Sequence, residues 1–375
     1  MLNLGARNLR KMLLPDLKYN PYYIVTPRYV GTSAGVRVLH LLCHLLCARG
    51  YRAYIVCIDP HNGPAVSSDL NTPILTAVMI KDHIKQGLAP ILIYPEVIQG
   101  NPYDANCVVR YVLNTPGFLA GDKVFDQNEM VWAFSNVLRS QCESCEGVLH
   151  MPVIDQRVFY EDVGRQRSGS AYYVAKYTDH HGQVEFGIPA DSIRITRSKK
   201  DSQTPEEMAE IFRSVEVLYV FENTAVATEA VLCGCPVIFM PNPYLDKPLA
   251  LEELGWDGYA WGASEEEVAR ARSTVAKAQD NYQRTIEEFE NQFVSFIEKT
   301  QDKAKSFPPQ SFKKLEEVVA LAYNDEMLKV ALKKHKKIKL RHIFAVLKTI
   351  IKLVPLALRN EVKKGVHKVK KAKKN

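Results

Sequence analysis

The chain has 375 residues, of which 46% are hydrophobic and 24% charged, and this is typical of a globular protein with about two domains. No apolar run is long enough to span a membrane, and residues 1–20 lack the apolar core and cleavage site of a signal peptide, so we expect neither a spanning helix nor export. The 8 cysteines are scattered, as is typical of reduced thiols in a cytosolic protein.

The net charge of +7 hides a difference between the body of the chain and its tail. Residues 329–375 contain 17 of the 49 Lys and Arg residues but only 1 of the 42 acidic residues, Glu361. The rest of the chain therefore carries 32 basic and 41 acidic side chains. We expect an acidic folded body followed by a strongly basic segment with a different physical role.

Alternating strand and helix patterns predict a parallel, doubly wound sheet over residues 1–154. A strand at Tyr22–Thr26 leads through the loop Arg28–Gly35 into a helix at Val36–Ala48, with Gly50 at its C-terminal cap. A second helix is predicted at Ile74–Gln86. The remaining strands of this domain are predicted at Tyr54–Ile58, Ile91–Tyr94, Cys107–Leu113, Val131–Phe134 and Val148–Ile154.

A polar linker, Asp155–Ser168, separates this domain from a second one predicted at residues 155–306. Thr204 and Pro205 are typical of an N-cap and a first helical position, and a long polar helical region is predicted at Ser264–Lys305. The strands predicted in this domain are Ala171–Tyr177, Ile193–Thr196, Val215–Val220 and Pro236–Met240.

One strand–turn–helix–strand unit of the second domain carries the most chemistry. The polar turn Glu222-Asn223-Thr224 falls at the carboxyl end of a strand, where open α/β sheets bind ligands. The following helix, predicted at Thr224–Leu232, presents backbone N–H groups and a positive dipole end to an anion such as a phosphate. Glu229 lies one helical turn beyond Ala225, where its carboxylate could accept hydrogen bonds from a ribose. The pattern indicates a nucleotide site.

The segment Glu229–Ile238 contains Ala230, Gly234, Pro236 and Val237 at the spacing A-x-x-x-G-x-P-V. It resembles the nucleotide-sugar motif of GT-B glycosyltransferases, in particular the family 4-like C-terminal motif, which is written E-x7-E before that tail. Here Glu222 and Glu229 are separated by six residues, and Phe221 occupies the strict first-Glu position. The resemblance therefore supports Glu229 as the ribose ligand more firmly than Glu222 as a sugar contact.

That resemblance implies an α/β, GT-B fold with two Rossmann-like domains facing a cleft, an N-terminal acceptor domain and a C-terminal nucleotide-sugar domain. The donor-binding residues it implies are Glu222, Asn223, Thr224, Ala225 and Glu229. The first strand–helix loop of such proteins faces the cleft. Gly31, Thr32, Ser33 and Gly35 are therefore further candidates, although a tight turn alone also explains them. Arg37, inside the helix, is interpreted as a solvated or interface residue.

Two residues are candidates for catalysis. Lys176 lies near the end of the predicted strand Ala171–Tyr177, and GT-B enzymes similarly keep a basic residue after the first strand of the C-terminal domain to neutralise the departing diphosphate. Arg165, Arg167 and Arg197 are alternative cations, and an ordinary surface role for Lys176 stays open. Glu96, at the carboxyl end of a predicted strand, is a candidate general base if the enzyme inverts configuration, and a turn-capping role is its alternative. Asp59, His61 and Asp104 are competing bases.

The pattern of residues 307–375, beyond the body that ends at Pro308 and Pro309, predicts a basic amphipathic helical tail. A cationic helix with one apolar face is typical of a segment lying on an anionic membrane. Nucleic-acid binding and a partner-binding helix are the alternatives, and the single aromatic residue, Phe344, counts against nucleic acid. The apolar residues are Ile338, Leu340, Ile343, Phe344, Val346, Leu347, Ile350, Ile351 and Val354.

The resemblance to GT-B enzymes, taken with the basic tail, implies a cytoplasmic, peripheral membrane glycosyltransferase. It would transfer a sugar from a nucleoside-diphosphate sugar to a hydroxyl, on a lipid-linked saccharide of surface polysaccharide or lipopolysaccharide assembly. GT-B enzymes generally need no metal, and we expect no cofactor and no metal site here; the lone Cys142/Cys145 pair indicates structural thiols. The alternatives are a nucleotide-sugar epimerase of the same fold and a non-catalytic GT-B-like membrane assembly partner.

Overall fold

The computed structural model describes residues 19–58, 66–175, 187–197 and 202–320. These residues form two sheets, and the strand pairs within both of them are parallel. Parallel sheets need helices on both faces, which explains why their strands read as nearly continuous apolar runs. In the first strand, for example, all five residues from Tyr22 to Thr26 are buried.

The first sheet has six strands in the order β2-β1-β3-β4-β5-β6. Its strands are β1 (Tyr22–Thr26), β2 (Ala53–Cys57), β3 (Ile91–Pro95), β4 (Cys107–Val112), β5 (Met130–Ala133) and β6 (Gly147–Val148). Its helices are α1 (Ala34–Ala48), α2 (Ala77–Lys85) and the single turn α3 (Asn136–Arg139). Helix α1 packs on one face through Leu39, Leu42 and Leu46, while Ile80 of α2 packs on the other.

The second sheet has five strands in the order β11-β10-β9-β7-β8. Its strands are β7 (Ser170–Tyr173), β8 (Ile193–Ile195), β9 (Val217–Val220), β10 (Val237–Phe239) and β11 (Tyr259–Trp261). Its helices are α4 (Pro205–Ser214), α5 (Ala225–Leu232), α6 (Leu251–Leu254) and α7 (Glu265–Thr274). The expected N-cap Thr204 and Pro205 open α4, and Glu207 completes a capping box with Thr204.

A 28-residue helix, α8 (Ala278–Lys305), connects the two apolar cores. Tyr282 near its start packs in the core of the second sheet, whereas Phe289, Phe293 and Phe296 pack in the core of the first. The chain then continues on the opposite face of the first sheet, where Phe312 and Leu315 are buried with Tyr23 and Leu92. The aromatic spacing along α8 thus fixes one helix to both sheets.

The predicted α/β class with two parallel, helix-covered sheets is confirmed. Most predicted strands agree with the structure within one or two residues, but the one expected at Val148–Ile154 forms only Gly147–Val148, and Pro152 cannot donate to a ladder. The three-residue strand β11 had no detectable pattern, and the predicted helical region Ser264–Lys305 is divided by a 3₁₀ turn at Val275–Lys277. The domain limits 1–154, 155–306 and 307–375 stay predictions.

Among the described residues, no helix combines the length and apolarity needed to cross a bilayer. The basic amphipathic segment predicted within residues 329–375 lies outside the described residues. Its proposed role is therefore argued from sequence alone.

Candidate functional site

Both sheets have a topological switch point, which is where open α/β sheets bind ligands. In the first sheet, the order places β1 next to β3, so the loops after these two strands leave in opposite directions. In the second sheet, β7 and β9 have the same relation. The predicted residues Gly31–Gly35 and Glu96 follow β1 and β3, and Glu222 follows β9. The sequence candidates therefore fall at the two switch points.

The turn after β9 is braced by its own side chains. Glu222 is fully buried and accepts a hydrogen bond from the Ala175 N–H at 3.0 Å, which ties β9 to the segment after β7. Asn223 donates to the Lys247 carbonyl and accepts from the Leu249 N–H. Thr224 is the N-cap of α5 and accepts from the Val226 N–H at 3.2 Å. These contacts make the start of α5, at Ala225, a rigid platform.

Glu229 is the buried carboxylate of this site. Its side chain is 1% exposed, and Oε1 accepts a hydrogen bond from Nη2 of Arg37 at 2.9 Å. Oε2 is buried, and no described residue donates to it. A buried carboxylate oxygen without a donor is costly in a folded protein. Glu229 therefore retains capacity to accept hydrogen bonds from a ligand.

Two arginines place positive charge beside Glu229. Arg37 lies on α1, one turn beyond Ser33, and Arg197 follows β8. Nη2 of Arg197 donates to the Gly31 carbonyl at 3.4 Å. Burial, followed by the nearby Arg37 cation, lowers the pKa of Arg197, and Glu229 opposes this. Within the described part of the chain, Nε of each arginine is buried without an acceptor, so the cluster has unused donors as well as an unused acceptor.

The loop after β1 lies at this cluster. Ser33 is the N-cap of α1 but makes no side-chain capping bond, and Gly31 contacts Arg197 through its carbonyl. Gly35 sits in the first turn, where an added Cβ would lie 3.6 Å from the Leu113 side chain. Nε2 of His40 forms a hydrogen bond with the Pro27 carbonyl at the start of the loop. Burial lowers the pKa of the His40 imidazole. Thr32 is half-buried in the same loop.

Glu96 is held by the neighbouring strand end. It is buried, and Oε2 accepts from the Leu113 N–H at 2.9 Å. The loop around it is tightly packed, because a Cβ on Gly121 would lie 2.0 Å from the Glu96 carbonyl oxygen and the φ of Gly121 is +79°. This backbone bond agrees with the turn-capping alternative. A general-base role for Glu96 stays a proposal.

The other predicted cations have separate positions. Lys176 lies outside the described residues. Arg167 donates to the Phe212, Val215 and Cys233 carbonyls and thereby satisfies the C-terminal ends of α4 and α5. Arg165 pairs with Glu210. Of these predicted cations, Arg197 is the one that lies at the site.

The motif glycine Gly234 has a structural cause. Its φ is +73°, and an added Cβ would lie 2.8 Å from Arg167 and from Glu161. Gly234 and Cys235 donate to the Val231 and Ala230 carbonyls, which ends α5. This close turn returns the chain into β10. The Gly-x-Pro-Val part of the motif therefore shapes the helix end, while Glu229 faces the charged cluster.

All eight cysteines of this chain are free thiols, and the Cys142/Cys145 pair has structural contacts. Cys142 and Cys145 donate to the Leu138 and Gly147 carbonyls, and burial raises the pKa of Cys142 to about 11. Among the described residues, no group of three or more His, Cys, Asp or Glu side chains is arranged to hold a metal ion.

Sequence reasoning identified Arg197 only as an alternative cation and Arg37 only as a solvated or interface residue, and it assigned no role to Tyr173. Tyr173 ends β7, bonds to Thr224, and has a pKa raised by burial and by Glu222. The position of Arg37 four residues after Ser33 was a usable signal, because that spacing returns to the same helix face. Its pairing with Glu229, 192 residues away, had no local signal.

Comparisons with known proteins give limited similarity. No family model matches the chain, and no curated protein sequence does so either. One similar solved structure is an α-glucosyltransferase in complex with UDP and a 13-mer DNA containing a HMU base, with 11% identity over 80% of this chain and 99% of that chain and a TM-score of 0.36. Another is an α-glucosyltransferase with UDP and a 13-mer DNA with a central A:G mismatch, with 12% identity over 76% and 94% and a TM-score of 0.34. Both TM-scores lie below 0.5, so the architecture of this chain rests on its own strand order and helix packing.

Proposed function

We propose that this protein is a GT-B glycosyltransferase with a family 4-like donor site. It transfers a sugar from a nucleoside-diphosphate sugar to a hydroxyl of a lipid-linked saccharide, at the cytoplasmic face of a membrane. The observation that carries the nucleotide part is Glu229, a buried carboxylate at a switch point that retains one acceptor atom within the described residues. The motif resemblance around Ala230 and Gly234 supports the same assignment.

The charged groups around Glu229 are complementary to the ribose and to the diphosphate of such a donor. The Oε2 atom accepts from ribose hydroxyls, while Arg197 and the start of α5 face the diphosphate. When the glycosidic bond breaks, the nucleoside diphosphate leaves with additional negative charge. A fixed guanidinium stabilises that charge in the transition state. Lys176 is proposed as a second cation, and Glu222 as a contact to the sugar.

The acceptor side is proposed from the loops of the first sheet. For a transfer that inverts configuration, Glu96 is the general base for the acceptor hydroxyl, and the hydrogen bond that it accepts from the Leu113 N–H fixes its orientation. Gly31, Thr32, Ser33 and Gly35 line the cleft side of the donor. No metal or other cofactor is part of this proposal, because cationic side chains supply the charge stabilisation.

The donor assignment is tested by titrating the full chain with UDP-, GDP-, dTDP- and CMP-linked sugars in a calorimeter. We expect one class to bind, and Glu229→Gln to weaken it about 10- to 100-fold, as the loss of a charge-assisted hydrogen bond does. Glu265→Gln is the matched control, because Glu265 is an exposed carboxylate at the start of α7. Unchanged binding in Glu229→Gln would overturn the donor assignment.

The membrane part is tested separately with the basic segment. Residues 329–375 carry 17 basic side chains, each worth about 1 kcal/mol near an anionic surface. We expect the full chain to pellet with phosphatidylglycerol vesicles, and a chain ending at residue 328 to stay in the supernatant. Equal pelleting of both proteins would remove the anchoring proposal. Retention of the full chain by duplex DNA but not by vesicles would favour a nucleic-acid surface.

A further inference from the structure

The ion pair between Arg37 and Glu229 joins the two sheets. Arg37 belongs to α1, on the first sheet, and Glu229 belongs to α5, on the second. The two side chains are 16% and 1% exposed, and a single N–O contact of 2.9 Å connects them. Removing two charges from water is costly, and close contact with full hydrogen bonding is needed to offset that cost. The Arg37–Glu229 pair is buried, but among the described residues it does not have the full set of hydrogen bonds.

The unused atoms lie on both members of the pair. Within the described residues, Nε of Arg37 and Oε2 of Glu229 are buried without a hydrogen-bond partner. Arg197, which follows β8 of the second sheet, adds a second contact between the two sheets, from Nη2 to the carbonyl of Gly31 in the loop after β1 of the first, at 3.4 Å. Within the described part of the chain, the pair therefore lacks the full set of hydrogen bonds that a structural ion pair has, and the atoms without partners lie near the switch points of the two sheets.

We propose that Arg37 is a positioning residue for Glu229, so that the first sheet domain orients the ribose-binding carboxylate of the second. Arg37 holds Oε1 and leaves Oε2 directed at the ribose hydroxyls of the donor. This inference rests on the proposed function, and it adds that nucleotide affinity depends on a residue of the opposite domain. Arg37 acts through Glu229 and does not itself contact the nucleotide.

The physical reason is preorganisation. A carboxylate with one oxygen fixed by a guanidinium has fewer orientations to lose when a ligand binds to the other oxygen. The neighbouring cation also offsets the cost of keeping the carboxylate charged in a buried place. Without Arg37, Glu229 would have to be oriented by the ligand itself. Donor affinity would then fall even though every nucleotide contact is still present.

The test compares UDP with 2′,3′-dideoxy-UDP, which lacks the ribose hydroxyls. Calorimetry is performed on the wild type, Arg37→Gln, Glu229→Gln and the double variant. Arg49→Gln is the control, because Arg49 caps the other end of α1 and pairs with Glu290 at the surface. Urea unfolding of each variant establishes that it is folded. If UDP does not bind the wild type, GDP and its dideoxy form, then dTDP and CDP with theirs, replace it.

We expect Arg37→Gln to weaken UDP binding about 10-fold or more, and to leave the weak binding of dideoxy-UDP unchanged. The double variant should bind UDP no more weakly than Glu229→Gln, because Arg37 acts through that carboxylate. Arg49→Gln should bind like the wild type.

Two results would overturn the inference while leaving the proposed function intact. One is UDP affinity that depends on Glu229 but not on Arg37. The other is an equal loss for UDP and dideoxy-UDP in Arg37→Gln, which would indicate a direct phosphate contact or a general distortion. Failure of the wild type to bind any of the four nucleotides would overturn the proposed function, and this inference with it.

Discussion

Two buried arginine–glutamate pairs in this molecule differ in how many of their hydrogen bonds are made. Arg110 and Glu129, which both belong to the part of the chain that forms the first sheet, have side chains 1% and 6% exposed. Nε and Nη2 of Arg110 each donate to a different oxygen of Glu129 at 2.8 Å. The remaining N–H groups of Arg110 reach the carbonyls of Ile98 and Gly100. The hydrogen bonds of this saturated pair are therefore made within the part of the chain that forms the first sheet.

The Arg37–Glu229 pair has one bond and two unpartnered atoms among the described residues, and its members come from different sheets. A saturated pair fixes a loop, in this case the one around Glu96. An unsaturated pair at a switch point still has bonding capacity, which a ligand can use. Hydrogen-bond completeness, more than burial, therefore separates a structural ion pair from a candidate binding site.

The largest effect is expected at the saturated pair. Arg110→Leu leaves Glu129 charged and buried, and removes the donors to the loop carbonyls. Breaking a buried pair in this way costs about 3–5 kcal/mol of the free energy of unfolding, measured by urea denaturation. A loss under about 1 kcal/mol would show that the pair is not structurally important and would remove the contrast.

The unsaturated pair should respond differently when both members are replaced. Arg37→Leu combined with Glu229→Leu removes two buried charges that are imperfectly bonded, so the free energy of unfolding should be unchanged or rise by about 1–4 kcal/mol. Nucleotide binding should be lost. Unfolding in urea and calorimetry on the same preparation measure both. Stability lost by as much as in Arg110→Leu would mean that this pair is structural as well.

A third contact between the sheets predicts a pH dependence. Glu253 on α6 accepts from the Asn136 N–H at 2.6 Å at the start of α3. Burial raises the pKa of Glu253 from 4.5 to about 7, and the Asn136 bond opposes this. The folded protein therefore holds a proton that the unfolded chain releases above pH 4.5, so this stabilisation is lost as the pH rises through about 7.

Glu253→Gln keeps an acceptor for Asn136 but cannot ionise. We expect it to be more stable than the wild type at pH 8, by about 1–2 kcal/mol after allowing for partial exposure, and equal to it near pH 4. Urea unfolding across this pH range measures the difference. Parallel stability curves for the two proteins would contradict the assignment. Asp257→Asn, a change at a neighbouring carboxylate that bonds Asn281, controls for general surface charge.

The smallest change in the free energy of unfolding is expected at the N-caps of the two helices that begin at the site, α1 and α5. Thr224 makes a capping bond to Val226, whereas Ser33 makes no capping bond. Thr224→Ala should therefore lower the free energy of unfolding by about 1 kcal/mol, and Ser33→Ala by only a few tenths. Thermal unfolding of the two variants measures this. Equal losses would show that the Ser33 hydroxyl contributes to folding, instead of being available to a ligand.

Local sequence was sufficient for most of the fold. Apolar runs bounded by turn residues predicted the strands, and Thr204 with Pro205 predicted the start of α4. The three-residue strand Tyr259–Trp261 was not predicted, because so few residues carry no periodic pattern. The motif glycine Gly234 was also readable, since a left-handed turn at a helix end favours glycine.

The candidate site could be predicted only in part. Glu229 was found from its motif and its position one turn into a helix, and the structure gives it a buried place with an unused oxygen. Arg197 was only one of three alternative cations and Arg37 was not assigned to the site, because each lies in a separate segment that is ordinary by itself. Glu96 was found because it is a carboxylate at a strand end. A strand pattern cannot predict its hydrogen bond to the Leu113 N–H, because the two residues belong to different strand ends.

The two-sheet class, the acidic body with its basic tail, and the helix that carries Glu229 could be predicted, because these depend on composition and on contacts a few residues apart. The pairing of Arg37 of the first sheet with Glu229 of the second, and of Arg110 with Glu129, depends on the tertiary structure. Ion pairing depends on where folding places each charge, and the two strand orders place these charges. The local pattern around an arginine contains no information about its distant partner.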